Sequence, residues 1–153
     1  MIDNENRAEM NELKLIRDYI FGGHATFTLV GKADRFTYRV RTLLRWEQGT
    51  PRPYFVDVLS GPDNTSDYQF LGTFRNAGDV TYTHSAKSRV TPEAKSVQGA
   101  MWLARTLNRK NIVALPEGAT FYHEGVCARC GRKLTTPESI QLGIGPVCAT
   151  KHK

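Results

Sequence analysis

Apolar and polar positions alternate with two different periods along the chain. From Asn4 to Ile20, residues Met10, Leu13, Ile16 and Ile20 recur at helical spacing, which predicts an amphipathic helix ended by Gly22-Gly23. At Ala25 the period changes to two, with Phe27 and Leu29 on one face of a strand and Thr26 and Thr28 on the other. Arg35-Phe36-Thr37-Tyr38-Arg39-Val40-Arg41 is the sharpest alternation: Phe36, Tyr38 and Val40 face one way and the arginines the other. Tyr54–Leu59 and Tyr68–Phe74 read as two more strands. Between them Ser60-Gly61-Pro62-Asp63-Asn64-Thr65-Ser66 is dense in turn residues and predicts an antiparallel connection. Asp79–His84 continues the series as a meander, with no interleaved helices to build a parallel sheet. Tyr38, Tyr54, Phe70 and Tyr82 fall on alternating apolar faces and read as core.

Helical spacing returns after Thr91-Pro92-Glu93, which combines an N-cap hydroxyl, a proline suited to the first helical position and an acid in the first turn. Ala94, Val97, Met101, Ala104 and Leu107 mark the buried stripe, and the helix is expected to fade at Asn108–Asn111. Pro116-Glu117-Gly118 predicts a turn, and Thr120-Phe121-Tyr122 a final short strand.

The candidate chemistry lies beyond that strand. Cys127 and Cys130 form Cys-x-x-Cys followed by Gly131, and Cys148 follows after 17 intervening residues. A two-residue spacer lets two thiolates converge on one ion, and the glycine permits the tight turn that aims backbone amides at sulfur. Pro146 is suited to open a helix whose N-terminal dipole favours the Cys148 thiolate. One structural zinc is therefore expected, and it needs a fourth ligand. His123 supplies His-x3-Cys-x2-Cys from the preceding strand; His152 supplies Cys-x3-His but is the penultimate residue, where fraying is the default. His123 is the first choice on that ground and His152 the alternative. A redox pair would want a βαβ context, and an iron–sulfur cluster a fourth cysteine. The expected fold is α+β: an antiparallel β-meander with an N-terminal helix and one packed helix over residues 1–118, then a treble-clef-like zinc-knuckle module over 119–153, packed as one compact unit. The chain shows no internal repeat and no low-complexity linker.

Cys127-Ala128-Arg129-Cys130-Gly131-Arg132-Lys133-Leu134-Thr135, followed by Gly143-Ile144-Gly145-Pro146 and Cys148, resembles an uncharacterised domain family found in phage and bacterial proteins. In that family Cys-x-x-Cys-Gly-Arg-x-Leu-Thr and Gly-Ile-Gly-Pro-x-Cys form a small zinc-binding module. His123-Glu124-Gly125 also fits its members, which adds to the case for His123. The resemblance implies a zinc module and a phage or mobile-element setting; it implies no reaction.

Composition and charge narrow the function classes. Three cysteines are too few and too odd a number for a disulfide framework, and point to a reducing cytoplasm. The acidic, polar start Met1–Asn6 is unlike a secretory signal, and no apolar run approaches the length of a membrane helix. Residues 1–84 carry 10 basic and 11 acidic side chains, residues 85–153 carry 11 and 4, so the whole formal +6 comes from the C-terminal part. Such a bias suits a polyanionic partner. Three contact surfaces follow: Arg129, Arg132 and Lys133 at the knuckle, with Lys151 and Lys153; the Arg35, Arg39 and Arg41 stripe; and Lys95, Gln98, Trp102, Arg105 and Arg109 along the second helix, where Trp102 is placed to stack on a base. No phosphate loop, nucleophile elbow or His-Glu-x-x-His motif appears. The expectation is a non-enzymatic protein that binds DNA or RNA, with a factor that docks on a host protein as the alternative.

Overall fold

In the computed structural model, which describes residues 8–43, 45–47, 49–63, 66–134, 140, 141 and 143, the alternating segments form one seven-stranded sheet. The elements in chain order are β1 (Ala8–Met10), α1 (Leu13–Ile20), β2 (His24–Val30), β3 (Arg35–Thr42), β4 (Tyr54–Leu59), β5 (Tyr68–Ala77), β6 (Asp79–His84), α2 (Lys95–Leu107) and β7 (Thr120–His123). The spatial order is β1-β7-β2-β3-β4-β5-β6 and every neighbouring pair is antiparallel. β2 to β6 are therefore the expected meander, and the architecture is α+β. β7 returns across the fold to pair with β2, and β1 then covers its other side.

The N-terminal helix is shorter than its periodicity predicts. Met10 fits the helical stripe, yet Ala8-Glu9-Met10 is extended and Met10 lies opposite Phe121. Pairing with β7 satisfies backbone groups that would otherwise be an open sheet edge, and three residues are too few to reveal a period of two. The extended pairing runs on past β1: Leu13 N–H donates to the Val113 carbonyl and Leu115 N–H to the Asn11 carbonyl, both at 2.9 Å. α2 likewise starts later than expected. Thr91-Pro92-Glu93 makes a separate turn, closed by Ala94 N–H on the Thr91 carbonyl at 3.1 Å, and extended Ala94 is the N-cap.

Both helices pack on the sheet face that carries Phe27, Tyr38 and Phe121. The rings of Phe27 and Phe121 stack at 4.7 Å across β2 and β7, and Tyr19 of α1 meets Phe121 edge-on. The Tyr38 hydroxyl donates to the Ser96 carbonyl of α2 at 2.6 Å. Gly99 is required there, because a Cβ at that position would lie 2.6 Å from the same hydroxyl. At the far end of α2, Asn108 clamps β6: its amide donates to the Val80 carbonyl at 2.7 Å and its carbonyl accepts Val80 N–H at 2.6 Å. Tyr38 and Tyr54 are buried in the core as expected, while Phe70 and Tyr82 are half-buried. Burial pushes the Tyr82 phenol up to about 12. Among the described residues no helix is long and apolar enough to cross a membrane.

No helix of the described residues covers the opposite face of β2–β4, which is organised by polar contacts instead. The Thr37 and Thr28 hydroxyls meet at 2.6 Å, and Thr28 donates onward to the buried Glu124 carboxylate. One register position away, Asp57 accepts from Arg39 and Arg41.

Candidate metal centre and cation surfaces

β7 delivers the chain directly to the cysteine motif. After His123 the backbone turns at Gly125, whose φ of 85° favours glycine, and then folds into a short hairpin. Val126 pairs with Lys133, Cys127 N–H donates to the Arg132 carbonyl at 2.8 Å, and Leu134 N–H to the Gly125 carbonyl at 2.8 Å. At the tip, Gly131 adopts a φ of 76° and its N–H reaches the Cys127 carbonyl at 2.9 Å. Arg129 N–H points at Cys127 Sγ from 3.4 Å. Cys-x-x-Cys-Gly thus forms a tight turn, with one backbone amide directed at the first sulfur and a left-handed glycine after the second cysteine. Cys127 is buried and Cys130 exposed. The hairpin is held against the body by β2: His24 N–H donates to the Ala128 carbonyl and His24 Nδ1 contacts the Arg129 carbonyl, each at 2.6 Å.

Residues 117–153 match a Family of unknown function (DUF6011). The match bears out the resemblance to an uncharacterised family over β7 and the knuckle, about a quarter of the chain, and its description carries neither a metal nor an activity. No curated protein matches the chain, and no solved structure matches it.

Two of the expected ligands, Cys148 and His152, lie outside the described residues, as do Lys151 and Lys153. Among the described residues no three His, Cys, Asp or Glu side chains form a metal-holding group. His123 is fully buried, stacked on Tyr19 with ring centroids 5.5 Å apart. Its Nδ1 accepts Gly125 N–H at 3.1 Å, and its Nε2 contacts the Ile140 carbonyl. An acceptor Nδ1 and a carbonyl at Nε2 define the neutral tautomer with its proton on Nε2. Burial lowers its pKa, opposed in part by the Ile140 contact and the Glu124 charge. The stacked Tyr19 hydroxyl lies 3.1 Å from the Thr26 carbonyl and 3.0 Å from that of Val126, so it ties α1, β2 and the knuckle together.

The three expected cation surfaces have different surroundings. Arg129, Arg132 and Lys133 are all exposed on the knuckle hairpin. In the β3 stripe, Arg35 is exposed, but Arg39 and Arg41 converge on Asp57, at 3.1 Å from Nη2 and 2.8 Å from Nε respectively. Their guanidinium planes also cover aromatic rings, Arg39 over Tyr68 at 4.2 Å and Arg41 over Phe55 at 5.5 Å. On α2, Lys95, Gln98, Trp102 and Arg105 do share a face, and they line a cleft of about 440 Å3 with Lys32 and Asp34 of the β2–β3 turn and Phe36 of β3. Arg109 is exposed past the end of α2 and is not part of this lining. Asp57, Thr28 and Lys32 escaped the sequence reading. Asp57 was detectable, since it shares a strand face with Phe55 and falls opposite arginines in the simplest meander register; the others depend on contacts distant in sequence.

Proposed function

We propose that this chain is a non-catalytic phage or bacterial protein in which one structural zinc fixes the C-terminal knuckle and the knuckle's cations bind the phosphates of a nucleic acid. The observation that carries the reading is the exposure of Arg129, Arg132 and Lys133 together on a hairpin whose backbone already points an amide at Cys127 Sγ. Cys127, Cys130 and Cys148 are the proposed thiolate ligands. The contacts of His123 favour His152 as the fourth, because both imidazole nitrogens of His123 are engaged by backbone groups and its ring is stacked on Tyr19. In this role zinc supplies cross-linking of the knuckle to the C-terminal segment, with no open position for a reacting water. The hairpin then presents arginine guanidinium groups, which match phosphate oxygens in a planar, two-pronged geometry.

The test has a metal arm and a binding arm. Purified protein should contain one zinc per chain; His152→Ala should lower zinc retention and His123→Ala should not, beyond its effect on folding. Affinity for DNA or RNA should fall by about tenfold or more between 50 and 200 mM salt, as expected when several phosphates are neutralised. Arg129→Gln with Arg132→Gln should flatten that dependence. Absence of nucleic-acid binding at low salt, together with recovery of one stoichiometric host protein after nuclease treatment, would replace this reading with that of a host-directed factor.

A further inference from the structure

We propose that the cleft between α2 and the β2–β3 turn binds a nucleotide unit, a planar heteroaromatic ring carrying phosphate. Its volume of about 440 Å3 falls within the range of small-molecule sites. One wall is the face of α2 with Lys95, Trp102 and Arg105; the facing wall is the turn after β2 with Lys32 and the start of β3 with Phe36; Glu117 also lines the cleft. Gly99 lines the helix wall between Lys95 and Trp102, with the Tyr38 hydroxyl filling the place of its missing side chain. Trp102 and Phe36 are half-buried, packed against the core on one side and lining the cleft on the other. Two backbone turns fix the opposite rim. Gly31 N–H donates to the Asp34 carbonyl at 2.8 Å, and Gly118 takes a φ of 93° after Ala119 N–H closes on the Pro116 carbonyl at 3.3 Å.

The chemistry of the walls selects the ligand. Among the described residues neither Lys32 nor Arg105 is paired with a carboxylate. Lys95 has only a 3.8 Å approach to Asp34 between two well-exposed groups, an interaction of little worth that an incoming anion can replace. Three cations are thus available to a phosphate. The two aromatic side chains offer a ring the stacking surface that single-strand binders use. Asp34 and Glu117 offer acceptors to exocyclic amines or sugar hydroxyls. An apolar ligand would leave the cations idle, and an inorganic anion would leave the aromatic walls idle; a nucleotide engages both. The cleft adjoins the Val30 end of β2, whereas the knuckle adjoins His24 at the other end, about 20 Å away at the usual rise of a strand. The inference therefore stands apart from the zinc knuckle and does not depend on it.

The chain has two tryptophans, so Trp46→Phe makes Trp102 the sole emitter. The full-length protein in that background is titrated with each of the four ribonucleoside 5′-monophosphates, with a short single-stranded oligonucleotide, and with inorganic phosphate. Calorimetry on the unaltered chain gives the same isotherms without the substitution. A saturable change in Trp102 emission is expected, with an affinity lowered about tenfold or more by Lys32→Gln combined with Arg105→Gln, two exposed positions whose replacement leaves the fold intact by circular dichroism. Saturation by a mononucleotide identifies a free nucleotide as the source. Binding of the oligonucleotide alone, weakened by the cleft pair and not by Arg129→Gln with Arg132→Gln, identifies a unit of a strand. No saturable response to either ligand, affinities unmoved by the cleft pair, or equal binding of inorganic phosphate would each overturn the proposal.

Discussion

Asp57 has a side chain only 2% exposed on a strand face that no helix of the described residues covers, and it is buried by the groups it pairs with. Arg39 and Arg41, two residues apart on β3, reach it from Nε and Nη atoms, and Tyr68 and Phe55 lie beneath their guanidinium planes. Replacing the carboxylate leaves two adjacent guanidinium groups facing each other without a counter-charge. A wholly buried pair costs about 3–5 kcal/mol to break. Here the arginine side chains are 34% and 47% exposed, so solvent screens much of that. Asp57→Asn is expected to cost about 1–3 kcal/mol, read as a lower urea midpoint at unchanged slope. The same geometry predicts that Arg39→Gln and Arg41→Gln lower stability while leaving the salt dependence of nucleic-acid binding unchanged, the reverse of Arg129→Gln with Arg132→Gln. An alternating Arg-x-Thr-x-Arg-x-Arg pattern cannot announce this by itself. It shows which side chains share a face, whereas their occupation by Asp57 depends on the β3–β4 register. His123 has the same character: its spacing to Cys127 is that of a ligand, and its three-dimensional surroundings are a tyrosine ring and two backbone groups.

At the scale of elements, the knuckle and the end of α1 meet backbone to backbone. Gly22 lies so close to Ala128 that a Cβ there would approach its carbonyl oxygen to 2.7 Å and its carbonyl carbon to 2.9 Å. Neither atom is the end of a flexible side chain, so one element must move. Gly22→Ala is therefore expected to destabilise the protein by about 1–3 kcal/mol, the usual cost of overpacking, and to speed amide exchange at Ala128 and Gly131. Unchanged exchange there would mean that the hairpin yields freely and that its position is not set by α1. In the sequence, Gly22-Gly23 is legible only as a helix stop; its second task appears once β2 carries His24 to the knuckle. The strands of the meander were legible because each spans at least six residues with an alternation of its own. β1 was not, because its only buried residue, Met10, also fits the helical stripe. The expected N-cap at Thr91 was displaced for a related reason: the cap signal was local, and the segment used its hydroxyl-proline-acid triplet as a turn that leads into α2. Lys95, Trp102 and Arg105 were correctly placed on one helix face, but the cleft needs Lys32 and Phe36, which nothing near α2 in sequence foretells.

For the molecule as a whole, β7 is an interior strand, flanked by β1 and β2, and the apolar core draws on α1, α2 and β2 to β6 as well as β7. Small zinc modules without such a core are unfolded when the metal is removed. Here the ladders from β1 to β6 contain no residue of the hairpin, so the stabilising effect of the proposed zinc should be confined to the segment it would cross-link. Among the contacts that hold that segment to the rest are the two from His24, the Tyr19 hydroxyl on the Val126 carbonyl and the close approach of Ala128 to Gly22. Treating the full-length protein with a chelator should release one zinc per chain, lower the melting temperature, and raise hydrogen exchange across residues 125–134. Protection should persist in β2 to β5, and binding to nucleic acid should weaken because Arg129, Arg132 and Lys133 are no longer held in register. Exchange mass spectrometry with and without chelator checks each part of this. Loss of protection throughout the sheet would show that the metal holds the whole fold, and loss in neither region would show that the knuckle forms without it. The charge distribution gives the same experiment a second reading. Residues 1–84 are close to neutral overall, so nucleic-acid affinity that survives chelation should come chiefly from Lys95, Arg105, Arg109 and Lys110 of residues 85–153, together with Lys32 of the cleft, and should still fall with salt. A residual affinity that ignores salt would contradict phosphate contact as its source.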